Sequence, residues 1–196
     1  MTTVTCDITV STDGFAAGPN QSLENPMGEG GMRLHRWAIE QPGENAAELA
    51  ATVDAGAFIM GRNMFAPGRG EWDDEWKGWW GDEPPYHAPV FVLTHYPRPP
   101  LVMAGGTTFT FVTEGIESAM EQARAAAGER SVAIAGGAAT VRQFLHAGLI
   151  DELRLHVAPM VQGVGEPLLA GLDVNLEQVS SRENELVTHV TYRVVR

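Results

Sequence analysis

From residue 2 to residue 10 polar and apolar positions alternate, with Val4, Cys6, Ile8 and Val10 on one face. A period of two is the signature of a strand with one face in a core, and Ser11-Thr12-Asp13-Gly14 ends it as a turn. Residues 18–31 are crowded with Gly, Pro, Asn and Glu and predict a long loop. A short helix is predicted over 32–41, stopped by Pro42-Gly43, and an alanine-rich helix over 44–55 with Leu49 and Val53 four apart. Ala57-Phe58-Ile59-Met60 is an unbroken apolar run, which predicts a strand buried on both faces. A second such run, Val90-Phe91-Val92-Leu93, follows Pro89, and a weaker strand is predicted near 108–112. Ile116, Ala119, Met120, Ala123 and Ala127 share one face of a helix closed by Gly128. A strand over 132–135, the Gly136-Gly137 turn and a helix marked by Val141, Phe144 and Leu145 complete the middle. Leu153, Leu155 and Val157 alternate again, and 185–195 reads as a long terminal strand.

Strands thus alternate with helices through the middle of the chain, which predicts an α/β fold: a mixed, mostly parallel sheet flanked by helices, with antiparallel strands at its C-terminal edge. No linker divides the chain, so 1–196 reads as a single domain. Composition narrows the partners. With 13 Lys+Arg against 25 Asp+Glu, the net charge is −12, and such an acidic chain lacks the cationic face that nucleic acids or anionic membranes require. One cysteine, Cys6, leaves no internal disulfide and no thiolate metal cluster, and no metal-ligand spacing is present. The N-terminus has neither a basic start nor an apolar segment of the signal-peptide kind. The expectation is a cytoplasmic protein acting on a small molecule, with neither nucleic acid nor membrane as partner.

Candidate chemistry gathers at three strand ends, where open α/β sheets bind ligands. They are Gly61-Arg62-Asn63, Thr94-His95 and Gly136-Gly137. Glycines at a strand-to-helix turn admit a ligand close to the backbone, and a helix N-terminus attracts phosphate. Each is common alone; together, at alternating strand and helix spacing, they favour a phosphate-bearing cofactor.

At these residues the sequence resembles a family. Phe58-Ile59-Met60-Gly61-Arg62-Asn63-Met64-Phe65 resembles the MGR(x)TW/Y segment of dihydrofolate reductases, and Val132-Ala133-Ile134-Ala135-Gly136-Gly137 their second cofactor strand. Leu149-Ile150-Asp151-Glu152-Leu153, Pro159, the 163–169 segment and the Ser11-Thr12-Asp13-Gly14-Phe15 turn are more similar to the reductase domain of bacterial riboflavin biosynthesis proteins and its stand-alone relatives. The resemblance implies NADPH as cofactor, with Gly61 and Arg62 at the 2′-phosphate, Thr94 and His95 beside them, and Gly136, Gly137 and Thr140 around the pyrophosphate. Val10, Phe15 and Ala16 then lie along the nicotinamide. His95 departs from the Ser or Arg usual there. The implied activity is reduction of a planar nitrogen heterocycle, a pterin or a riboflavin-type pyrimidine. The alternative is a non-catalytic protein that holds a nucleotide or flavin in the same cleft.

The substrate side departs further from the family. Glu29 is a candidate for the acid that assists protonation, and alignment puts His156 where those reductases carry a pocket-lining threonine. A histidine there is a candidate proton donor, against the plainer reading of a satisfied strand histidine. Asp13 and Trp37 are candidates for the pocket wall. Trp72, Trp76, Trp79 and Trp80 fall at i, i+4, i+7 and i+8, one face of a short helix. Trp76 and Trp79 are therefore candidates for an aromatic wall over a flat ring, with core packing or a homodimer contact as alternatives.

Overall fold

A computed structural model describes residues 2–66, 68 and 70–195. The alternating and continuous apolar runs become strands at β1 (Val4–Ser11), β2 (Phe15–Ala17), β3 (Ala57–Gly61), β4 (Pro89–Leu93), β5 (Leu101–Val102), β6 (Thr108–Val112), β7 (Val132–Gly136), β8 (Glu152–Ala158), β9 (Glu166–Pro167), β10 (Asn175–Asn184) and β11 (Val187–Val195). Helices form at α1 (Arg36–Glu40), α2 (Ala46–Ala51), α3 (Arg62–Phe65), α4 (Ile116–Ala127) and α5 (Ala138–His146), with a 3-10 turn over Gly31–His35 leading into α1. Nine strands make one sheet in the order β10-β11-β8-β1-β7-β3-β4-β6-β5, and β2 pairs with β9 apart from it. The centre is parallel; β10 and β11 run antiparallel at one edge and β5 at the other. This is the α/β architecture expected, with a mixed, mostly parallel sheet and antiparallel C-terminal strands.

Side chains alternate across the sheet into two cores. Ile59 of β3 points to the side where Ala119, Met120 and Ala123 of α4 and Val141, Phe144 and Leu145 of α5 pack. Phe58 and Met60 point to the other, where Phe65, Tyr86, Phe109 and Phe111 pack. Burial on both faces is why the central runs carry no polar alternation. Among the described residues no helix is long and apolar enough to cross a membrane.

Three sequence expectations are corrected. No helix forms over 72–80: the segment is a chain of turns, with Gly78 and Gly81 at positive φ, a conformation that breaks helical geometry. Its tryptophans spread rather than share a face. Trp72 packs edge-on against Phe111, Trp80 stacks on Phe109, and Trp76 donates its indole N–H to the Phe65 carbonyl, so the segment covers the second core. Ahead of the terminal strand, which forms as expected, β10 stands where no strand was predicted and pairs with it antiparallel. The alanine-rich helix is only Ala46–Ala51.

Candidate active site

The carboxyl ends of β3, β4 and β7 open at one edge of the sheet onto a cleft of about 1090 Å³. At β7 a bulge sets Met60 opposite Gly136 with Ala135 extra, which turns the chain into α5. Gly137 takes φ 57°, a left-handed value open to glycine at little cost. The first turn of α5 thereby faces the cleft with its free N–H groups, and Thr140 lines the same wall. The opposing Gly61 touches Thr140: a Cβ there would collide with the Thr140 hydroxyl oxygen. Gly61→Ala is therefore expected to lower stability by about 1–3 kcal/mol, the usual cost of overpacking, measured by urea unfolding. An unchanged midpoint would mean that β3 and α5 part freely.

Arg62 follows Gly61 and lies over the Trp72 ring, 3.9 Å from its centroid. Its terminal nitrogens donate to the carbonyls of Gly70 and Glu71, while its Nε is buried with no partner among the described residues. An unpaired N–H of a guanidinium at the mouth of a glycine-lined cleft fits an anionic oxygen. Thr94, fixed by its hydroxyl against Tyr96, and His95 line the wall beside it.

The inner end of the cleft is polar and aromatic. Thr9 pairs with His156 across β1 and β8, so alternate residues of β1 place Asp7 and Thr9 on the same side. Trp37 is buried, donates its indole N–H to the Thr9 hydroxyl (3.3 Å), and packs against His156 and His189 at ring separations of 4.9 and 5.1 Å. His156 Nδ1 meets His189 Nδ1 at 2.7 Å, and His189 Nε2 meets Asn45 Oδ1 at 3.0 Å. On its other side His156 Nε2 lies 3.7 Å from Asp7 Oδ1, with both side chains nearly fully buried. Asp7 Oδ2 is paired with Arg154, which also binds Glu152. His35 lines the cleft nearby, its Nε2 buried without a partner.

Of the sequence-derived residues, Ala16, Gly61, Arg62, Thr94, His95, Gly136, Gly137, Thr140, Trp37, Trp79 and His156 all line this one cleft. The others sit elsewhere. Val10 is in the core, and Phe15 is paired with Pro167 on the β2–β9 ribbon. Trp76 packs into the second core. Asp13 is exposed, accepts the backbone N–H groups of Gln162 and Gly163, and is pulled down to about 2, chiefly by the Gln162 bond and then by the Ser11 hydroxyl. Glu29 is exposed and accepts from Asn20, while its carbonyl accepts from Gln162. Both carboxylates thus tie down loops rather than line the cleft. Sequence reasoning missed Asp7, His35, Asn45 and His189. Asp7 gave little signal, because it sits with Thr5 and Thr9 on the polar face of an alternating strand that happens to lie in the centre of the sheet.

Burial, and then the neighbouring His156, push His189 down from 6.5 to about 4. The unfolded chain therefore takes up a proton that the fold refuses, so this contribution to stability is complete above pH 6.5 and is lost as pH falls toward 4. His35 is shifted in the same direction by burial. The melting temperature is expected to fall across that window, and less steeply in His189→Gln; equal slopes would place the loss on other groups.

The sequence profile of the RibD C-terminal domain matches residues 2–190. The chain belongs to the RibD C-terminal domain family. A protein assigned to riboflavin biosynthesis from Shewanella sp. PV-4 shares its fold with a TM-score of 0.65 at 22% identity, over 99% of each chain. Dihydrofolate reductase of Enterococcus faecalis, solved with NADP(H), superposes with a TM-score of 0.58 at 14% identity, over 98% of this RibD-family chain and 96% of that one. The uncharacterised protein YyaP of Bacillus subtilis (strain 168) is 23% identical over 184 residues, 90% of this chain and 86% of its own. At these identities the structural likeness speaks for the fold, and that fold includes reductases.

Proposed function

We propose that this RibD-family chain is an NADPH-dependent reductase of a planar nitrogen heterocycle, of the pterin or riboflavin-pathway pyrimidine kind. The observation that carries this reading is the continuity of one cleft. A glycine-lined, anion-ready half at β3, β7 and α5 runs into an aromatic and histidine-lined half at Trp37 and His156. The residues present fit the cofactor. Arg62, through its unpartnered Nε and with Thr94 and His95, would hold the 2′-phosphate. Gly136, Gly137 and the N–H groups up to Thr140 would hold the pyrophosphate at the N-terminus of α5, and Ala16 borders the nicotinamide side. Once bound, the dihydronicotinamide supplies hydride.

The chain's own work is positioning. Trp37 and Trp79 give flat walls against which a ring can stack, and burial of the inner end keeps water from the reacting atoms. Of the candidate catalytic pair, His156 lies in the cleft with the chemistry to hold or move a proton at a ring nitrogen, whereas Glu29 is not among its lining residues. Fixing reactants in place accounts for a large share of a hydride-transfer rate even without a strong acid.

The test is a panel of dihydropterins, pterins and aminopyrimidines mixed with NADPH and protein. Loss of NADPH absorbance with at least one of them is expected. NADPH binding with no oxidation by any member would favour a holding protein instead.

A further inference from the structure

Asn45, His189, His156 and Asp7 form a chain whose protons can be assigned by elimination. Asn45 is buried, and its Nδ2 faces two carbonyls, of Trp37 at 3.1 Å and Gln41 at 2.8 Å. Carbonyls only accept, so this end of the amide must be the NH₂ and the other end is the oxygen. That Oδ1 accepts from Arg182 and Asn184 as well, which leaves His189 Nε2 able to approach it only as an N–H donor. With burial holding His189 neutral, its single ring proton is on Nε2, and its Nδ1 is a bare lone pair. His156 Nδ1, 2.7 Å away, must then carry the proton that joins the two rings. So fixed, His156 turns its Nε2 toward Asp7 Oδ1, and at 3.7 Å, beyond hydrogen-bond reach, no proton on Nε2 joins the two.

Two acceptors therefore meet at 3.7 Å, and among the described residues no donor lies between them and neither atom has another partner. Arg154, shared between Asp7 and Glu152, leaves one negative charge uncompensated. The remaining charged or titratable groups facing this chain are His35 from the turn before α1, Glu48 from α2 and Arg182 from β10. Glu48 and Arg182 are paired with each other, so neither supplies the missing donor.

We propose that Asn45 and His189 are positioning residues that lock His156 as the Nδ1–H tautomer, so that His156 Nε2 and Asp7 Oδ1 form a subsite selective for a cationic or N–H-bearing nitrogen. The subsite rests on the cleft reading above for its role in a reductase, but not for its geometry. It selects substrates that present an amidine-like or ring N–H edge inward and rejects those presenting a carboxylate or a bare carbonyl. Buried acceptors left unpaired by the wrong ligand are the physical source of such discrimination.

Long-range proton–nitrogen correlation of the histidine rings, on ¹⁵N-labelled protein free of ligand at neutral pH, reads the lock without cofactor or substrate. His156 protonated on Nδ1 and His189 on Nε2 is expected; a proton on His156 Nε2 with Nδ1 bare overturns the lock. Calorimetric titration with benzamidine and with benzoate reads the subsite. At least tenfold tighter binding of benzamidine is expected, with the preference lost in Asp7→Asn while the His156 tautomer stays. Equal binding of the two probes overturns the subsite, and does so on wild-type protein even if Asp7→Asn fails to fold. NADPH titrated into the same sample separates the two readings. NADPH binding without the benzamidine preference overturns this proposal alone, and the preference without NADPH binding overturns the reductase reading alone.

Discussion

Arg62→Ala is expected to weaken NADPH by roughly 10- to 150-fold while leaving NADH nearly unchanged. A hydrogen bond to a charged group is worth about 1.5–3 kcal/mol, and each 1.4 kcal/mol is about tenfold in affinity. The comparison of two cofactors matters because Arg62 also secures the carbonyls of Gly70 and Glu71. Loosening that loop would weaken both cofactors alike, whereas loss of a phosphate contact touches only the one that carries the phosphate. Arg62→Lys keeps the charge but not the planar fork or the stacking on Trp72, and is expected to fall between. Paired titrations of both cofactors check this. Equal weakening would remove Arg62 from the 2′-phosphate.

The largest expected loss of stability is at Trp37. Its side chain is 3% exposed and closes the inner end of the cleft against His156 and His189. Trp37→Ala removes a bicyclic ring that its neighbours cannot collapse to replace, which costs about 3–5 kcal/mol, and leaves the Thr9 hydroxyl without its donor. Trp37→Phe keeps most of the packing and is expected to recover more than half of the loss. The urea midpoints of the two variants decide it. A loss below about 1 kcal/mol for alanine would show the site to be surface-like. Because Trp37 borders the inner half of the cleft, NADPH affinity of the folded Trp37→Phe protein is expected to stay near wild type.

The parts of this protein that were legible in its sequence are those governed by local rules. Ala57–Gly61 and Val132–Gly136 are apolar without interruption because both faces of the central sheet are covered, and glycine ends both where the chain turns directly into α3 and α5. The residues proposed to hold the cofactor sit at those ends, within reach of pattern and resemblance, and most of them line one cleft. Two features misled. The tryptophan spacing matched a helix, yet Gly78 and Gly81 at positive φ and the drive to cover Phe65, Phe109 and Phe111 unwound it into turns. The hairpin strand β10 carries only Leu176 and Val179 among polar residues and is almost wholly exposed, so it lacks the alternation that marks a half-buried strand. The histidine chain was illegible for a different reason. Asp7, His156 and His189 come from strands far apart in sequence and meet only because β8 pairs with both β1 and β11, while His35 and Asn45 arrive from the turn before α1 and the start of α2. No spacing rule records that.

A crystal structure of the protein with NADPH tests the central claim most directly. The account predicts the 2′-phosphate against Arg62, Thr94 and His95, the pyrophosphate at Gly136, Gly137 and the first turn of α5, and the nicotinamide toward Ala16 and the Trp37–His156 end of the same cleft. NADPH bound anywhere else on the molecule, or failing to bind at saturating concentration, would contradict it.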